Sequence, residues 1–101
     1  MPGIDPTPDE LTAITDVATA RAWCGVDDDY MAALEGALGG RVRTLRHLVL
    51  VDRVGWDHAM QNLHDREGNF PGPLWVATLE SLRRVARIKC GLCPGDHREA
   101  V

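Results

Sequence analysis

The chain has 101 residues, 45% of them apolar and 26% charged, with a net charge of −4. That is ordinary usage for one small globular domain and argues against an intrinsically disordered chain. A chain of this size buries only roughly 60–65% of the surface its unfolded form exposes, which argues against a large cleft between domains.

Residues 1–7 read as a flexible arm. Met1, Pro2, Gly3, Ile4, Asp5 and Pro6 offer no basic segment followed by an apolar one, so no signal peptide is expected. Met1 reads as the start of a complete short product. The longest apolar run, Leu48, Val49, Leu50 and Val51, is far short of the ~20 residues of a membrane span. The expected compartment is therefore cytoplasmic or nuclear.

Thr7, Pro8, Asp9 and Glu10 form a strong helix start, with a cap, proline in the first turn and glutamate three residues after the cap. Leu11, Ile14, Ala18, Ala22 and Trp23 then recur at helical spacing, and Gly25 suits the residue after a helix end. One helix over 8–24 is predicted. Asp27, Asp28 and Asp29 place anions at the positive end of a second helix over 28–38, which Gly39 and Gly40 stop.

Val42, Leu45, Leu48 and Val49 predict a short third helix within 42–51, since a lone strand would have no partner. Asp52 caps a fourth over 53–64, with Trp56, Ala59, Met60 and Leu63 on its inner face. Residues 64–73 read as a loop, with Phe70 tucked back into the core. Pro73 opens a fifth and longest helix whose stripe is Trp75, Leu79, Leu82 and Ala86, and which Gly91 and Pro94 end. Five helices joined by short connections predict an all-α bundle over 8–90, with a polar tail at 91–101. Its predicted core is Leu11, Ile14, Trp23, Leu34, Leu45, Leu48, Trp56, Leu63, Trp75, Leu79 and Leu82. The three tryptophans read as core anchors more readily than as an aromatic binding surface.

Cys24, Cys90 and Cys93 make an odd number, and reduced thiols are expected rather than a disulfide scaffold. Cys90, Cys93 and His97 have spacing that suits three zinc ligands. The fourth would have to come from Cys24, His47, His58 or His64. The simpler reading has Cys90 packing under the helix end and Cys93 incidental, so no metal or cofactor is expected. A redox role is disfavoured because the pair follows a helix C-terminus, where the dipole raises thiol pKa. There is no nucleophile elbow, no HExxH and no phosphate loop, and Ser81 is the only serine. An enzyme is not expected, nor a small-molecule substrate or a membrane partner.

Charge is uneven along the chain. Residues 1–40 carry eight acids and one base, residues 41–101 seven acids and ten bases, and all bases but Lys89 are arginine. Two basic clusters stand out: Arg41, Arg43 and Arg46, then Arg83, Arg84, Arg87 and Lys89. They read as solvated faces, as protein-facing patches, or as a phosphate-binding surface if they pool in space.

Asp16 and Val17 with Trp23, Gly25, Tyr30 and Leu34 resemble the opening of a sterile-alpha-motif (SAM) domain. The passage from Gly40 to Leu48 and the long final helix from Gly72 resemble the rest, so that the likeness spans residues 8–90. It implies a non-enzymatic protein–protein interaction module that binds another protein or itself, head to tail. The acidic face would be Asp27, Asp28, Asp29 and Glu35, and the basic face Arg83, Arg84 and Arg87. The rival expectations are a nucleic-acid-binding helical domain that uses the arginine clusters and a small zinc-stabilised module.

Overall fold

The structure, a computed structural model, describes residues 6–90. Within them the chain is all-helical: α1 (Pro8–Ala13), α2 (Val17–Cys24), α3 (Asp28–Leu38), α4 (Leu45–Leu50), α5 (Arg53–Gln61) and α6 (Pro73–Lys89). The last helix is the longest, as its uninterrupted stripe predicts, and the six form a small compact bundle.

Six helices replace five because the predicted first helix is broken. Thr7 and Glu10 do form the reciprocal cap, with Thr7 N donating to Glu10 Oε1 at 2.8 Å and Glu10 N to Thr7 Oγ1 at 3.2 Å. The helix then stops at Ile14, whose backbone is extended. Asp16 starts a second cap: Thr19 N donates to Asp16 Oδ1 at 2.9 Å, and Asp16 N donates to Thr19 Oγ1 at 3.0 Å. An aspartate that can bond a backbone N–H three residues ahead competes with continued helix, and the β-branched Thr12, Ile14, Thr15 and Val17 around it resist little.

The second prediction matches α3, held at its start by Asp27, which accepts from Tyr30 N at 3.0 Å. Gly39 ends it in the left-handed region at φ 79°, which favours glycine. Both following helices are shorter than predicted. Val42 is buried ahead of α4, its N–H given to the Glu35 carboxylate at 2.8 Å, and Thr44 begins the helix. Asn62 ends α5 by turning its side-chain amide onto His58 O at 2.8 Å, yet Leu63 just beyond is buried.

Helix α6 runs through the middle and packs against α2, α3 and α4, while α5 packs against α3. The largest fully buried side chains are Trp56, Leu34, Leu48, Leu63, Leu79, Leu82 and Val85. Ile14 and Leu45 are buried as well, whereas Leu11, Trp23 and Trp75 are only half-buried at the margin of this core. Leu11 sits on α1, which has no fully buried residue. Val26, Met31, Val42 and Met60, by contrast, are buried in the core.

Phe70 does not tuck in. It is 56% exposed, because Asp65 folds the loop on itself by accepting from Glu67 N at 2.9 Å and Asn69 N at 3.0 Å. Pro6, at the base of the predicted arm, is buried. At the other end Lys89 Nζ donates to Leu11 O at 2.7 Å, clasping the end of α6 to α1. No helix among the described residues is long and apolar enough to cross a membrane.

Candidate functional site

The acidic residues of α3 are mostly engaged within the chain. Asp27 caps the helix. Asp28 Oδ1 meets Arg21 at 2.7 Å and Asp29 Oδ1 meets Arg66 at 2.7 Å. Glu35 holds Val42 N. Asp28 nevertheless leaves its side chain 98% exposed, so its pair is worth little energetically and its charge still faces solvent.

The basic cluster of α6 does not form one surface. Arg83 is only 5% exposed. Its guanidinium lies 5.3 Å from the centre of the Trp56 ring and donates to Val51 O at 2.8 Å. Position 83 falls four residues after Leu79 and three before Ala86, so the helix turns it toward the core. Its cation satisfies the carbonyl that ends α4 and rests on an aromatic face. Arg84 is exposed and Arg87 half-buried.

The other cluster behaves differently. Arg41, Arg43 and Arg46 are all exposed, before and on α4. Among the described residues their guanidiniums form no ion pair or hydrogen bond, whereas Arg21, Arg53 and Arg66 each meet a carboxylate. Arg41 and Arg43 border a shallow hollow of about 470 Å³ with Arg21, Asp28 and Glu35.

A second hollow, an open groove of about 310 Å³, runs between α3, the loop after α5 and the start of α6. Its small walls are Ala32, Ala33 and Gly36; Trp75 borders it, and Asp29, Asp65 and Glu67 stand around it. Trp75 stacks on Tyr30 at 4.2 Å with planes 12° apart, which fixes the indole in place. Nothing in the sequence pattern brings these residues together: Asp29 and Arg66 meet only because α3 packs beside α5 and the loop after it.

Of the proposed metal ligands, Cys93 and His97 lie outside the described residues. Cys24 is buried against α6, its Sγ accepting from Ser81 Oγ at 3.7 Å, and burial pushes its thiol pKa up. His47, His58 and His64 are exposed on separate elements. Among the described residues no three His, Cys, Asp or Glu side chains gather as metal ligands would. Family models, curated proteins and solved structures were each searched, and none matches this chain.

Proposed function

We propose that this chain is a non-enzymatic protein–protein interaction module that engages an acidic protein surface through Arg41, Arg43 and Arg46. The observation behind this reading is that three guanidiniums within six residues are exposed and, among the described residues, meet no carboxylate or other hydrogen-bond partner. Exposed charges left together attract opposite charge from outside, and arginine presents a planar fork suited to carboxylates. The chain supplies one such surface itself, the α3 face with Asp28 exposed, so its own copies are the first partner to test. Short helices ending in a long final one support the SAM-like part of this reading. Arg83 drops out of the basic face, because it is spent inside the fold.

Sedimentation equilibrium at low and high salt tests the proposal. Association of the chain with itself should appear at low salt and fade as salt screens exposed charge. Changing Arg41, Arg43 and Arg46 together to glutamate should abolish it. A monomer at every concentration and salt overturns self-association. The same arginines favour one second reading, contact with nucleic-acid phosphates. Binding of generic DNA or RNA by the wild type, lost in the triple variant and strongly salt-dependent, would replace the first reading with the second.

A further inference from the structure

The geometry points to a second, oppositely charged docking site: the groove beside Trp75 receives an arginine side chain from an arginine-bearing segment of a partner protein. It rests on different residues from the reading above and does not depend on it.

Charge complementarity identifies the occupant. Asp29, Asp65 and Glu67 stand around the groove against one guanidinium, that of Arg66, and the His64 imidazole. Arg66 is 85% exposed, so its pair with Asp29 is weak and solvent-screened. Asp29 and Asp65 each use a single oxygen, Oδ1, in these bonds. The Glu67 carboxylate has no partner among the described residues. The groove thus carries more negative than positive charge, a balance that favours a cationic donor.

Shape favours arginine over other cations. The volume, about 310 Å³, lies at the small end of the roughly 300–1,000 Å³ of ligand pockets and suits one side chain rather than a folded partner. Ala32, Ala33 and Gly36 leave a low wall that a flat group can lie along. Gly36 has open space where a Cβ would sit, with nothing within 4 Å. Tyr30 already holds the indole still, so little ordering cost remains when a guanidinium stacks beside it. The fold makes the same contact once internally, Arg83 over Trp56.

The test is a titration followed by amide and indole NMR shifts, with the capped tripeptide Gly-Arg-Gly as probe. Its neutral analogue, with citrulline in place of arginine, is the control. The expected result is saturable movement of the Trp75 indole N–H and of the Ala33 and Gly36 amides. Citrulline should bind about tenfold more weakly, since it loses both the charge and the cation–π contact. Glu67→Lys, on an exposed loop, should weaken the arginine probe by a similar factor. Gly36→Leu, which fills the groove and suits a helix, should abolish binding. Circular dichroism establishes that both variants keep the fold; if Gly36→Leu does not, Glu67→Lys decides alone. Equal response to citrulline, or shifts centred on unrelated acids such as Asp57, overturns the proposal. So does a groove that answers only to the chain's own concentration and not to the probe, because the occupant is then a second copy. Changing Arg41, Arg43 and Arg46 should leave the probe response untouched, which separates failure of this site from failure of the other.

Discussion

Trp56 and Trp75 face opposite circumstances in the same small bundle. Trp56 is fully buried, one arginine of its own chain lies over its ring, and its surroundings are closed. Trp75 is half-buried, braced by Tyr30 on α3, and bordered by carboxylates and an open groove. Both indoles bury apolar area, but only the first has its cation built in. The lesson concerns where stability and recognition reside. The closed side, between α4, α5 and α6, holds the fold; the open side, between α3 and the start of α6, has chemistry left over for something else.

The contrast is broken most directly by truncation. Trp56→Ala should cost about 3–5 kcal/mol by urea denaturation, a large part of the roughly 5–15 kcal/mol of a domain this size. Trp75→Ala, at a site that already touches water, should cost about 1–2 kcal/mol. Equal losses would mean that the two sides do not differ in the way described.

Arginine provides the next test. Arg83→Ala removes the cation from the Trp56 ring, leaves Val51 O without its donor, and opens space; a loss of about 2–4 kcal/mol is expected. Arg84→Ala, one residue along on the exposed face, should fall within about 0.5 kcal/mol of wild type. A flat pair of results would place Arg83 among the surface residues after all.

Thiol chemistry sharpens the boundary between the sides. Cys24 is buried and its pKa is raised by desolvation, so alkylation in the native state should be slow and should accelerate on unfolding. Half-buried Cys90 should react before Cys24. Peptide mapping by mass spectrometry reads the order.

Acid gives the smallest and most local effect. Backbone hydrogen bonding from Thr19 holds the Asp16 carboxyl below its usual range, and the Thr7 backbone does the same for Glu10, helped by Trp23. A lowered folded-state pKa contributes stability above the unfolded value, and that contribution disappears as pH falls through the folded one. Urea midpoints should therefore hold steady down to about pH 5 and decline below about pH 4. In Asp16→Asn, which keeps a cap but no charge, the acid decline should be shallower.

How much of this was legible beforehand varies with the range of the forces involved. Caps and stops are written in neighbouring residues, so Thr7 with Glu10, Asp27, Gly39, Asp52 and Pro73 announce their helices directly. The break at Asp16 is equally local, but the apolar spacing of Leu11, Ile14 and Ala18 runs across it and masks the second cap. The inner stripe of α6 was readable from periodicity, while the inward turn of Arg83 was not. A buried cation needs an aromatic face and a carbonyl from two other elements, and neither is visible from the helix alone. The groove is less legible still: Asp29, Glu67 and Trp75 are scattered in sequence and meet only through packing. The arginines at 41, 43 and 46 were visible as a cluster, but that they meet no carboxylate among the described residues emerges only from the packed fold.

The bond from Lys89 to the carbonyl of Leu11 has a topological corollary. It keeps the two ends of the described bundle within one lysine side chain's reach of each other, so a few glycines stitched between them would close the backbone into a ring with little distortion. New ends could then be opened at the surface tip around Gly68, and the permuted chain should settle into the same architecture.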